Sequence, residues 1–224
     1  MELTPASLFV MWGAGVAACT ALVAGWRVVG PGYFWLAGAV TTALAALAAL
    51  TGAGASAWVG AALAAVGALL APRASAPAWL FAGSAVALFA AGYEPGLPAV
   101  ALQVTGTVLL GGVTSEMMLG HWFLVDPTLP RRPLFALDAI AAAGLAAEAG
   151  VVIAVGLSAD EASILRWVWL ALVVLSGLLI AAVWFSLREP KYSGVMSATG
   201  LSYLAVLVTF SVVTVGRSLT GGGL

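Results

Sequence analysis

The stretch GGVTSEMMLGHWFLVDPTLPRRPL, residues 111–134, closes one long apolar run and opens the next. Upstream, small and aliphatic residues reach back to Pro98. Downstream they resume as LFALDAIAAAGLAA. Between the two runs stand Pro127, Pro130 and Pro133 with Asp126, Arg131 and Arg132. Proline fixes φ and lacks an N–H, so it is excluded from a helix interior but tolerated in a connection or a first turn. The stretch therefore reads as a helix, a short stiff loop and a second helix returning antiparallel to the first.

The same pattern runs through the chain. Of 224 residues, 63% are hydrophobic and 8% charged, against roughly 25% charged in soluble domains. That leaves too little polar surface for a water-soluble globule, and the runs are long enough as helices to cross a hydrocarbon layer of roughly 30 Å. A β-barrel would alternate polarity along each strand, whereas these runs are apolar on every face. Eight spans are predicted, at residues 7–26, 33–51, 56–72, 77–93, 98–121, 134–157, 163–187 and 194–216. All ten prolines fall in connections or at helix starts. The expected fold is all-α, a polytopic membrane bundle of eight transmembrane helices with short loops, forming one domain over residues 1–224.

Lys and Arg orient the bundle, since short cytoplasmic loops are enriched in them. With both termini outside, the inner loops hold Arg27, Arg73, Arg131, Arg132, Arg188 and Lys191, and the outer side holds Arg166 and Arg217. Glu2, Glu94, Asp160 and Glu161 also fall outside. Trp26, Trp35, Trp79, Trp122 and Trp184 lie at predicted span ends, where an indole buries its ring and keeps its N–H wet. The N-terminus MELTPASLF lacks the basic region of a cleaved signal peptide and is read as part of the first helix. The cell (plasma or inner) membrane is the expected location.

A net charge of −1 and the absence of a basic tract argue against nucleic acid as a partner. Cys19, the single cysteine, is read as a small buried thiol. No cysteine or histidine spacing suits a structural metal. Helix contacts are expected from the many Gly, Ala, Ser and Thr residues, because close backbone approach supplies the packing that the hydrophobic effect cannot supply in lipid.

Three acids lie within spans: Glu116, Asp138 and Glu148. An ionised acid at mid-bilayer costs at least about 2.5 kcal/mol on insertion scales, so each should face a partner helix or a wet cavity. Glu116 and Asp138 sit near the inner ends of the fifth and sixth spans, where Arg131 and Arg132 could snorkel toward them. Glu148 is the deepest. At 100° per residue, Gln103, Thr107, Gly111, Thr114, Met118 and His121 fall on one side of the fifth span, and Thr105, Gly112 and Glu116 on the other. A helix with two such faces is packed on both, so it should be central.

His121, the one histidine, admits four readings: a helix-end cap beside Trp122, a hydrogen-bond partner of a quinone, a haem ligand, or a copper ligand with Met117 and Met118. Haem b would need a trans ligand from Met11, Met196 or a second protomer. Among the ligand readings, a quinone or lipid site at His121, Trp122, Arg131 and Arg132, with a proton path through Glu116, Asp138 and Glu148, fits somewhat better than haem or copper, while a His with a following Trp at a helix end is more often a cap and anchor. An independent enzyme is not expected, because no paired catalytic motif is found. The chain is read as an integral subunit of a larger membrane assembly of the electron-transfer or ion-translocating kind, with the bilayer and other membrane subunits as partners. A proton-coupled small-solute transporter is the first alternative and a haem-binding cytochrome using His121 the second.

Overall fold

The computed structural model describes residues 3–72, 76–156 and 163–220. Glu2, Arg73, Asp160 and Glu161, which entered the charge count, lie outside them. The described residues form eight helices: α1 (Pro5–Trp26), α2 (Pro31–Ala48), α3 (Ala55–Leu69), α4 (Ala76–Ala91), α5 (Leu97–Val125), α6 (Arg132–Val155), α7 (Ser163–Arg188) and α8 (Tyr192–Thr220). Six are long and apolar enough to cross a membrane, which marks a membrane protein. The α2 crossing includes a terminal π-helical turn, Ala49–Ala53. α3 and α4 are equally apolar but, at 15 and 16 residues, span only about 22–24 Å.

Several boundaries differ from the predicted spans, and the largest differences carry consequences. α5 continues to Val125 rather than ending at His121, and α8 continues to Thr220 rather than stopping at 216. Five prolines, Pro5, Pro31, Pro77, Pro98 and Pro133, occupy a first helical turn. α1 is closed at its start by a capping box: the Ser7 backbone N–H donates to Thr4 Oγ1 at 3.1 Å, and the Thr4 N–H donates to Ser7 Oγ at 3.1 Å. Between α2 and α3 the chain reverses through Gly52 (φ 113°) and Gly54 (φ 81°), conformations that a side chain would strain.

α5 is the central helix, packed against α1, α6 and α8. Its two small-residue faces do the packing. On one face Gly111 meets Gly15 of α1 backbone to backbone; a Cβ built on Gly111 would lie 2.5 Å from the Gly15 Cα. On the other, a Cβ on Gly112 would lie 2.8 Å from the Ala141 nitrogen of α6, and one on Gly144 of α6 would lie 2.7 Å from the Leu109 nitrogen. Helices α1 to α4 pack around one another, α5 to α8 likewise, and the α1–α5 seam joins the two sets. Consecutive helices run in opposite directions. One end of the bundle therefore gathers Arg27, Arg131, Arg132, Arg188 and Lys191 against Asp126 and Glu189, and is called the basic end below.

Candidate functional site

The three intramembrane acids fall into two separate centres. Glu116 on α5 and Asp138 on α6 come together in the half of the bundle nearer the basic end. Both are buried, and the Gly112–Ala141 contact of α5 with α6 sets them at similar depth, about one turn farther toward the basic end. Glu116 Oε2 makes a short hydrogen bond with Ser202 Oγ of α8. Ser202 Oγ is also 2.8 Å from the Ala198 carbonyl. A hydroxyl carries one hydrogen, so Ser202 Oγ shares its donor between the Glu116 carboxyl and the Ala198 carbonyl. Glu116 Oε1 has no hydrogen-bond partner among the described residues.

Asp138 makes no hydrogen bond with any described residue. Its side chain stands in the wall of a groove of about 630 Å³ between α6 and α7, whose other lining residues are apolar. Ala142, Leu145, Val173, Gly177 and Ile180 form its walls, and Trp184 and Phe185 close it toward the basic end. Phe135 braces Trp184 edge-on, with ring centroids 4.8 Å apart and planes at 75°. The groove is one carboxyl in an apolar trough.

Glu148 belongs to the other centre, about 15 Å farther along α6 by helical rise. It is wholly buried and paired with Arg217 of α8: Arg217 Nη1 donates to Oε1 at 2.5 Å and Nη2 to Oε2 at 3.1 Å, while Thr105 Oγ1 donates to Oε2 at 2.5 Å. Arg217 Nη2 also reaches the Leu102 carbonyl, and the Met11 sulfur lies 3.8 Å away. Gly106 makes this possible, since a Cβ there would stand 2.8 Å from both Arg217 Nη2 and the Met11 sulfur. The expectation that Arg217 is an outer-loop charge is thus corrected. α8 runs on past it, and its guanidinium turns inward, where a buried acid compensates it. The signal was present in the sequence: Ser202, Thr209 and Arg217 share one face of α8 within about 80°.

Between the two centres the α5 and α6 backbones touch at Gly112–Ala141 and Gly144–Leu109. That contact leaves no room for a water chain along this seam. The structure therefore brings Glu116 and Asp138 together and sets Glu148 apart from them.

His121 is exposed on the side of α5, a full turn before its end, so it does not cap the helix as one reading had it; Asp126 occupies the C-cap. It faces away from Glu116, as their separation of five positions on a helix requires. Met118 is buried, Met117 partly so, and Met196 is exposed on α8. Met11, level with Gly106 of α5, lies about 22 Å deeper than His121 by helical rise. Among the described residues no group of three His, Cys, Asp or Glu side chains is placed to hold a metal ion. Trp122 does not keep its N–H wet: its ring lies over Gly32 of α2, and Nε1 is buried without a partner among the described residues. Cys19 is buried, as read.

The two arginines of the α5–α6 loop have different fates. Arg131 is a clasp on the α7–α8 turn. Its Nη1 donates to the carbonyls of Leu187 (3.2 Å) and Glu189, and its Nη2 to those of Pro190 (2.7 Å) and Lys191 (2.9 Å). The guanidinium also sits 5.9 Å from the Phe123 ring centroid. A cation satisfying the last carbonyls of a helix is favourable both as hydrogen bonding and against the helix dipole. Arg131→Gln is expected to cost about 1–2 kcal/mol and to speed amide exchange from Arg188 to Gly194; exchange unchanged in that turn would show that the clasp holds nothing. Arg132 is exposed and makes no hydrogen bond or ion pair with any described residue.

No protein-family model, curated protein or solved structure matches the chain.

Proposed function

We propose that the chain is an integral subunit of a larger membrane assembly, of the electron-transfer or ion-translocating kind. Its part is to hold a membrane-soluble ligand of the quinone class in the α6–α7 groove and to exchange protons with it at Asp138. The observation that carries this reading is Asp138 itself: a buried acid with no hydrogen-bond partner among the described residues, in the wall of an apolar groove, with Glu116 at similar depth on α5. An acid in that position is stable when protonated or when a ligand supplies a donor. A hydroquinone hydroxyl is such a donor, its ring suits a trough closed by Trp184 and Phe185, and an isoprenoid tail suits the remaining aliphatic wall. Glu116, hydrogen-bonded to Ser202, is placed to hold the proton next in line. His121, Trp122 and Arg131 are left out of the ligand site: the first faces elsewhere, the second packs on Gly32, and the third grips the α7–α8 turn.

In this reading the chain crosses the cell membrane eight times, with its basic end in the cytoplasm and both termini outside. The short α3 and α4 cross tilted little or in locally thin bilayer. The transporter alternative asks for water at Glu148, a side chain enclosed by Thr105, Arg217 and Met11.

A photoreactive quinone analogue applied to the protein in nanodiscs tests the proposal. Label is expected on α6 and α7 between Asp138 and Ala149 and between Val173 and Phe185, with Asp138→Asn lowering affinity roughly tenfold, the scale of one charge-assisted hydrogen bond. Label on other helices, or affinity indifferent to Asp138→Asn, would remove the basis for the assignment.

A further inference from the structure

At the basic end α1 and α6 barely touch, and the space between them is a groove of about 480 Å³ lined by Trp26, Val28, Pro130, Arg132, Pro133 and Ala136. Arg132 is the charged residue of this lining, and no acidic residue accompanies it. Its neighbour Arg131 spends all its donors within reach on backbone carbonyls. Arg132, the first residue of α6, keeps its own unspent among the described residues, at the end of a loop that Pro127, Pro130 and the Arg131 clasp hold in place. The other walls are an indole and aliphatic or proline surfaces, and they sit where apolar helices give way to charged loops.

These features call for a ligand that is anionic and oxygen-rich at one end and hydrocarbon at the other. A guanidinium pairs with a phosphodiester through two parallel N–H donors, and the Trp26 ring, half-buried, suits the glycerol level of a bilayer. An acidic protein segment would meet the charge but not the apolar walls. The surrounding excess of Arg and Lys at this end favours a lipid with net negative charge over a zwitterionic one, whose positive group it repels. We propose that this groove binds an anionic phospholipid through its phosphodiester on Arg132. The lipid fills the gap between α1 and α6 and so ties the α1–α4 helices to the α5–α8 helices. This does not depend on the quinone reading, since Asp138 and the α6–α7 groove take no part in it.

The test compares phosphatidylglycerol with phosphatidylcholine on the whole chain, by native mass spectrometry for retained lipid and by thermal unfolding in micelles doped with each lipid. Phosphatidylglycerol is expected to be retained preferentially and to raise Tm. Arg132→Gln should cut its retention about fivefold, the effect of one basic residue at a lipid surface, and should abolish the rise in Tm. Arg27→Gln, whose side chain lines a separate groove with Pro31, Phe34 and Trp79, is expected to change retention by less than about twofold, because an exposed charge that does not touch the phosphodiester is largely screened. Retention and Tm unaffected by Arg132→Gln would overturn the proposal. So would an equal rise in Tm from glycerol 3-phosphate, which would show a site for a soluble phosphate rather than for a lipid.

Discussion

Glu148→Ala is expected to cost the folded protein about 3–5 kcal/mol, the scale of leaving one member of a buried ion pair uncompensated. Arg217 has nowhere else to put its charge. It is wholly buried, and among the described residues its Nε already lacks a partner and its remaining polar contacts are the Leu102 carbonyl and a thioether. Arg217→Met should cost a similar amount by stranding Glu148. The double variant, Glu148→Gln with Arg217→Met, removes both charges together. It should recover most of the loss, because replacing a buried pair with neutral groups of similar volume is often near neutral. Unfolding in mixed micelles gives the three values. If the double variant costs the sum of the singles, the two side chains do not act as a pair. The pair links α6 to α8 and, through Thr105, to α5, so the single variants should loosen the end of the bundle opposite the basic end first.

The second large effect is steric. Gly111→Ala forces a methyl group against the Gly15 backbone of α1, where neither partner is a side chain that can turn away. Overpacking of a close seam costs typically 1–3 kcal/mol and sometimes more, and here the seam joins the two sets of helices. Gly150→Ala and Gly200→Ala are the controls: both lie inside helices, and an added Cβ meets nothing within 4 Å. Those two should be neutral or stabilise by up to about 1 kcal/mol, as Ala in place of a helical Gly normally does. Thermal unfolding and the yield of monodisperse protein distinguish the cases. A Gly111→Ala protein as stable as the controls would mean that α1 and α5 are farther apart than described.

Much of this architecture is legible without coordinates. Hydropathy and proline placement give the helices, because in lipid each backbone group must be satisfied within its own segment and the pattern need only be local. The small-residue faces of α5 also read correctly, since a 100° periodicity places Gly111 and Gly112 on different sides whatever surrounds them. Helix ends read less well. Nothing local stops α5 at His121 or α8 at residue 216: α5 runs on to its C-cap Asp126, and α8 is helical through Thr220. Those early ends are what admitted a cap among the readings of His121 and counted Arg217 with the outer-side charges.

The sequence by itself determined that this is a helical membrane protein, how many apolar helices it has, which end is basic, and that Glu116, Asp138 and Glu148 need explaining. Those properties follow from composition and period, which neighbours in space do not alter. Only the tertiary structure decided which acid meets which partner: Glu148 takes Arg217, Glu116 takes Ser202, and Asp138 is left facing an apolar groove. The fate of a buried charge depends on groups tens of residues away, brought near by packing.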